Sequence, residues 1–210
     1  MGELTKDTPK PLLKISGKTL LEHNLEALPD EIDEVVLVVG YLGNQIKESI
    51  GARFENKKIT YVEQKELNGT AHALSACKGF LKDRFLVLYA DDLYGKEDLS
   101  ELIKHPLSVL VSEVLADDLT EIGPATVAVD SKGNLSDILE RQPLRAGNLV
   151  NTGAYVLNEK IFDYPLISAG NPSTEYGLPQ TMMQMVSDGA KFAVIRAGSW
   201  RRISTSEDLK

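Results

Sequence analysis

Phe85-Leu86-Val87-Leu88-Tyr89-Ala90-Asp91-Asp92 is an apolar run that stops on two adjacent carboxylates. A short continuous run of this kind is the pattern of a strand covered on both faces, and its polar end puts Asp91 and Asp92 at the rim of a sheet. Val35-Val36-Leu37-Val38-Val39 is a second such run, ending at Gly40. Leu20, Leu21, Leu25 and Leu28 precede it at near-helical spacing, and further helices are expected over 43–50 and 71–81, with a strand over 59–62. This alternation of helix and strand indicates an α/β fold with a mainly parallel sheet, whose ligand crevice lies beyond the carboxyl ends of the strands.

Beyond a helix expected over 97–103, the texture changes to shorter strands and turns at 108–114, 125–129, 135–139 and 150–157, a more antiparallel half. A helix over 175–186, a strand over 192–195 and an acidic-capped segment at Ser206 follow. With 210 residues and 42% hydrophobic content the chain can bury a full core, and no repeat or long linker divides it. A single domain over 1–210 is expected, with halves at 1–105 and 106–210.

The net charge of −8 argues against nonspecific binding to nucleic acid or a membrane surface. Any polyanionic ligand must then be held by a local cluster of cations or by a metal. The single cysteine, Cys77, excludes an internal disulfide, and its spacing from Leu74 and Leu81 suits a core position better than a nucleophile. No apolar run approaches the ~20 residues of a membrane span or has signal-peptide organisation, so a cytoplasmic setting is the default expectation.

Thr8-Pro9-Lys10-Pro11-Leu12-Leu13 locks a lysine between two prolines. Proline disfavours helical backbone in the residue before it, so Thr8 and Lys10 are both expected to be extended. A long flexible ammonium on a stiff base suits a charge that must meet a phosphate. His23, His72 and His105 are not grouped in sequence and read as structural or exposed rather than as metal ligands.

Taken in order, several stretches resemble the sugar-1-phosphate nucleotidylyltransferases, also called nucleotide-sugar pyrophosphorylases. They are the Lys10 hexapeptide, Gly17-Lys18 with Glu22-His23, Glu63-Gln64 before Gly69-Thr70-Ala71, the run ending at Asp91-Asp92, Glu140-Arg141, Asn151-Thr152-Gly153, and Trp200 before Ile203-Ser204-Thr205. Seven elements in one order are far more specific than a lone glycine pattern. The resemblance implies a three-layer α/β/α, Rossmann-like sheet, with a nucleotide-binding half at 1–105 and a sugar-binding half with an antiparallel part at 106–210. It implies a reaction that joins a sugar 1-phosphate to a nucleoside triphosphate, giving a nucleotide-sugar and pyrophosphate.

The roles carried over with the resemblance are specific. Lys10 stands where the family's lysine contacts the phosphates, and Asp91 where an aspartate holds Mg²⁺. Gln64, Gly69 and Thr70 fall on the nucleobase side, and the stretch Gly69-Thr70-Ala71-His72 favours UTP or dTTP. Glu140 and Arg141 match a glutamate for sugar hydroxyls and a cation for the sugar phosphate, while Asn151, Gly153 and Asp92 fall on the sugar side. The chemistry needs no general base, because the second pKa of a phosphate monoester is near ~6. It needs two mutually repelling anions neutralised and held in line.

The sequence also departs from the family pattern. Family members open with a buried strand and a Leu-Ala-Ala-Gly-x-Gly-x-Arg loop; Met1-Gly2-Glu3-Leu4-Thr5 resembles the residues just after it, so an N-terminally incomplete domain with unpaired neighbouring strands is expected. Where the family has Trp-x-Asp as a second metal ligand, this chain has Trp200-Arg201-Arg202, and the family's Leu-Thr-Asp reads Leu178-Pro179-Gln180. A catalytically impaired homologue that binds nucleotide-sugars and regulates or scaffolds a partner is therefore the alternative reading. A glycosyltransferase ranks last, because Asp91-Asp92-Leu93 is not Asp-x-Asp. A homo-oligomer is a family-level expectation.

Overall fold

The structure, a computed structural model, describes residues 5–116, 123–170 and 174–210; Met1 to Leu4, expected to follow the family's loop, lie outside them. Its first half runs β1 (Lys14–Ile15), β2 (Lys18–Thr19), α1 (Leu20–Ala27), β3 (Glu34–Val39), α2 (Gly43–Ile50), β4 (Arg53–Phe54), β5 (Lys57–Glu63), α3 (Thr70–Ser75), β6 (Arg84–Leu88) and α4 (Lys96–Leu102). The second half runs β7 (Ser108–Glu113), β8 (Thr126–Val129), β9 (Leu135–Leu139), β10 (Leu149–Asn158), α5 (Leu178–Ser187) and β11 (Ala193–Arg196).

Strand β10 organises the six-stranded sheet. It pairs antiparallel with β6, β7 and β8, while β11 joins β7 in parallel and β9 joins β8. A separate sheet holds β3 parallel to β5, with β4 at its edge. The pleat alternates side chains between two layers. Val109, Val111, Tyr155 and Leu157 pack with Leu178, Met182 and Met185 of α5. Leu110, Ala154 and Val156 pack the opposite way, with Leu21 and Leu25 of α1 and Leu99 and Leu102 of α4. This is the helix–sheet–helix layering implied by the resemblance.

The two apolar runs read as doubly covered strands are only half-buried in β3 and β6. Each pairs on one edge alone, β3 with β5 and β6 with β10, and an apolar cavity of about 580 Å³ lined by Val36, Val38, Leu86 and Leu88 lies between them. Among the described residues no strand bridges the two sheets, so these side chains keep an open flank. Asn24 reaches the same cavity, and its buried Oδ1 has no hydrogen-bond partner.

The sheet expected to be mainly parallel is mixed: among the described strands only β3 with β5 and β7 with β11 run parallel, and the other pairs are antiparallel, those of β10 because it runs in the opposite sense to β6, β7 and β8. Three local expectations also change. Lys10 is not extended but heads a 3₁₀ turn over Lys10–Leu12, closed by Leu12 N–H to Pro9 O at 2.8 Å and Leu13 N–H to Lys10 O at 3.0 Å. The hydrogen bonds and the packing of Leu12 against the α1 layer override the dipeptide preference. Helix α3 stops at Ser75 rather than Leu81, because Cys77 and Phe80 turn to three-residue hydrogen bonds. Helix α5 starts at Leu178 rather than 175, since Gly177 precedes it, Pro179 sits in its first turn and Tyr176 instead donates its N–H to Asn68 O. Cys77 is buried, which pushes its thiol pKa up to about 11, as a core cysteine requires. Among the described residues, no helix is long and apolar enough to cross a membrane.

Helix α1 opens with a capping box in which Glu22 N–H donates to Thr19 Oγ1 and Thr19 N–H donates to Glu22 Oε2. The Thr19 N–H and, with it, the Thr19 hydroxyl, both donated to Glu22 Oε2, hold the Glu22 pKa below its ordinary value. Thr19→Ala is expected to lower unfolding stability by about 1 kcal/mol in urea titrations at neutral pH. Because the folded pKa is depressed, Glu22's contribution is present above the unfolded carboxylate range and fades as pH falls through the folded pKa. The gap between variant and parent should therefore narrow in acid.

Candidate active site

The edge of β10 that faces β6 is shared with β8: β8 pairs at Leu149 and Val150, and β6 from Ala154 to Asn158. Between those stretches, over Asn151–Gly153, the two neighbours part and β10 departs from regular register with β7. A cleft of about 530 Å³ opens there. Its walls bring together Lys10, Asp91, Asp92, Glu140, Asn151, Gly153 and Thr70 from the sequence-expected set.

Lys10 Nζ lies 3.0 Å from Asp91 Oδ2, so two residues 81 positions apart meet in one cleft. Asp91 is half-exposed, with 49% of its side chain accessible, and Lys10 is 24% accessible. Asp92 is more deeply set: its Oδ1 accepts from Ile203 N–H at 2.9 Å, and its carbonyl accepts from Asn24 Nδ2 at 2.8 Å. Burial, with the neighbouring Asp91 charge adding to it, pushes the Asp92 pKa up to about 6 against the pull of Ile203 N–H, Lys10 and Arg202.

Also lining the cleft, Asn151 donates from Nδ2 to Tyr155 Oη at 2.6 Å, and its Oδ1 accepts from Gly153 N–H at 3.2 Å. The Asn151 amide is thus oriented before any ligand arrives. Gly153 is required by the backbone, with φ +80°, and by space, since a Cβ there would sit 2.4 Å from the Tyr89 ring. Glu140 Oε1 accepts from Gln180 Nε2 at 3.3 Å. Thr70 Oγ1 accepts from Leu178 N–H at 2.9 Å and so ties the start of α3 to the start of α5.

Three expected residues stand outside the walls of this cleft. Arg141 follows Glu140 with left-handed backbone, φ +56°. Gln64 and Gly69 lie just beyond it, next to Thr70 and Tyr176. Gly69 has φ +93° and packs its Cα so closely on Tyr176 that a Cβ would meet its carbonyl oxygen at 2.5 Å. Gln64 Nε2 reaches Gly69 O at 3.3 Å and His72 Nδ1 at 3.1 Å.

Sequence reading missed Asp98, which is buried beneath the site. Its Oδ1 accepts from Gly198 N–H and its Oδ2 from Ser199 N–H, both at 2.9 Å, and this anchors the segment that carries Trp200 and Arg202 into the cleft. In sequence Asp98 looks like an ordinary acidic residue in the first turn of a helix. Gln180 was noted only as a departure from the family pattern, and its contact with Glu140 spans 40 positions. Gly153→Ala is expected to cost about 1–3 kcal/mol in unfolding stability and to displace the Tyr89 ring, read by urea titration and by aromatic NMR shifts.

The profile of the family described as nucleotidyl transferase matches residues 1–209. The bifunctional protein GlmU of Methanocaldococcus jannaschii is 29% identical over 207 residues, covering 98% of this chain and 48% of that protein. The UTP–glucose-1-phosphate uridylyltransferase AglF of Haloferax volcanii is 26% identical over 205 residues, covering 94% of this chain and 83% of its own length. The chain spans about half the length of the GlmU relatives it matches. Among solved structures, a UDP-glucose pyrophosphorylase complexed with UDP-glucose superposes with TM-score 0.78 at 19% identity, covering 98% of this chain and 89% of the other, a likeness of fold.

Proposed function

Since the chain belongs to the nucleotidyl transferase family, we propose that it joins a sugar 1-phosphate to a nucleoside triphosphate and releases pyrophosphate. The observation that carries this reading is the convergence of Lys10 on Asp91 in a cleft that is also lined by Glu140 and the oriented Asn151 amide. A phosphate oxygen of the sugar 1-phosphate attacks the α-phosphorus, a P–O bond forms, and the bond to the β-phosphate breaks with its electron pair leaving on pyrophosphate. The attacking oxygen is already ionised near neutral pH, so the cleft's task is to neutralise and align.

Lys10 supplies an ammonium to the phosphates, exchanging its contact with Asp91 for them. That exchange is inexpensive, because a half-exposed ion pair contributes only ~0–1 kcal/mol. Glu140 and Asn151 would hold sugar hydroxyls. Asp91 suits Mg²⁺, an ion that takes one or two carboxylates and fills its shell with phosphate oxygens and water. Among the described residues no three ligating side chains gather, so Asp91 would hold the ion with substrate oxygens completing the shell. When bound, Mg²⁺ supplies charge neutralisation at the phosphates.

UTP or dTTP is the preferred nucleotide. Both Gln64 amide hydrogens are engaged by Gly69 O and His72 Nδ1, which leaves Oε1 as an acceptor for the N3–H of uracil or thymine. The uridylyltransferase among the relatives agrees with this choice. A second reading, a nucleotide-sugar-binding homologue with impaired turnover, is favoured by Arg202, an exposed cation on the cleft wall where a ligating carboxylate is expected.

Pyrophosphate release with a panel of triphosphates and sugar 1-phosphates tests the first reading. Turnover is expected with UTP or dTTP, and Lys10→Ala should lower it about a hundredfold or more while thermal unfolding stays near that of the parent. Nucleotide-sugar binding without turnover across the panel would sink the first reading in favour of the second.

A further inference from the structure

The Gln64 side chain lies between two acceptors. Its Nε2 is 3.3 Å from Gly69 O and 3.1 Å from His72 Nδ1. A main-chain carbonyl can only accept, which fixes the nitrogen end of the amide on that side. An amide nitrogen can only donate, so His72 Nδ1 is the bare ring nitrogen and the ring hydrogen is on Nε2. Both Gln64 N–H groups are then spent. Gln64 Oε1 has no partner among the described residues and is not sealed from solvent.

We propose that His72 is a positioning residue that sets nucleobase selectivity: by accepting one Gln64 N–H it locks Gln64 Oε1 outward as an acceptor. This deepens, and rests on, the reading of Gln64 as the base contact. Uracil and thymine carry N3–H and satisfy that acceptor. Cytosine presents a bare N3 at the same edge, which would set lone pair against lone pair. Without His72, only the 3.3 Å contact to Gly69 O would resist a flip of the amide, and the flipped amide offers N–H groups that suit cytosine.

The fold holds this lock in place from both sides. Gly69 is the N-cap of α3, and its carbonyl also accepts Ala73 N–H at 3.0 Å. His72 is in the first turn of that helix, so its ring lies over the carbonyl three residues earlier. Ala71 N–H donates to Tyr176 O at 3.0 Å, which fixes the start of α3 against the segment before α5. The backbone that carries His72 is therefore anchored at Gly69 and at Ala71.

Two measurements on the full chain test the proposal. Nitrogen-15 NMR of the His72 ring near neutral pH should show the Nε2–H tautomer, and an Nδ1–H tautomer would overturn the proposal. Equilibrium titration with UTP and with CTP should show a preference of about tenfold or more for UTP in the parent. In His72→Phe, checked for folding by circular dichroism, that ratio should fall to about threefold or less. His72→Asn, whose Oδ1 can accept near the place of Nδ1, should restore it. An unchanged ratio in His72→Phe, or in His72→Leu should the phenylalanine variant not fold, overturns the role of His72 and leaves Gln64 as the base contact. Equal affinity of the parent for UTP and CTP overturns the proposal and the Gln64 reading together. Binding of neither nucleotide removes the selectivity along with the nucleotidyltransferase reading itself.

Discussion

A strand has two hydrogen-bonding edges, and β10 gives one to β7, with a break in register, while dividing the other between β8 and β6. The division falls over Asn151–Gly153, where Asn151 N–H still reaches Ala125 O at 2.8 Å and Tyr89 N–H reaches Gly153 O at 3.1 Å. Beyond those contacts the chain after β6 and the chain before β8 diverge, and the cleft is the space they leave. Its depth depends on Gly153, because only a residue without a side chain lets the Tyr89 ring lie on the strand. Thr152 secures the irregular stretch from below: its buried hydroxyl donates to Leu110 O, and its carbonyl accepts from Tyr94 Oη.

The cleft keeps the negative sign of the chain, which carries −8 overall, but places cations among its carboxylates: Lys10 and Arg202 stand with Asp91, Asp92, Glu140 and Glu175. Burial raises the cost of charging the inner carboxylate and the adjacent Asp91 charge adds to it, so Asp92 is pushed up to about 6, while the outer Asp91 pairs with Lys10. Asp92 spends Oδ1 on the Ile203 N–H, so part of its capacity holds the frame rather than a ligand. Among the described residues the side chains of Asp91 and Lys10 pair with each other at a half-open solvent face, which suits groups that must change partners.

Much of the architecture was legible because burial leaves a periodic trace. The alternation in the first half and the run that ends at Asp91 identified the sheet rim, and the strand over 135–139 matches Leu135–Leu139 in the structure. Where tertiary hydrogen bonds compete with local preference, the letters misled. Lys10 enters a 3₁₀ turn despite Pro11, and residues 175–177 are drawn into contacts with Asn68 and Ile167 rather than into α5. The antiparallel character of the second half was legible, but the sense of β6 was not: that it runs antiparallel to β10 is set by a partner some 70 residues away, and nothing in either run encodes it. The candidate site residues were named by resemblance to a family pattern. Of the residues that aim them, Asp98 and Tyr155 have ordinary sequence surroundings, and His72, although inside a stretch that resembles the family, was read only as structural or exposed; their contacts reach across turns or across the chain.

The segment from Gly198 to Ile203 separates these two kinds of information most clearly. Its backbone is fixed at three points: Asp98 takes the N–H groups of Gly198 and Ser199, Leu93 and Arg201 exchange hydrogen bonds at 3.0 and 2.9 Å, and Asp92 takes the N–H of Ile203. None of these contacts uses the side chain at 202. The frame therefore delivers whatever residue stands there to the cleft wall, beside Asp92, without regard to its charge. A carboxylate in that place would add a metal ligand, whereas arginine adds a fixed cation that can meet phosphate directly but cannot ligate a cation. Fold and placement thus follow from main-chain anchors that tolerate substitution, while the electrostatic balance of the cleft turns on one exposed side chain that stability does not constrain.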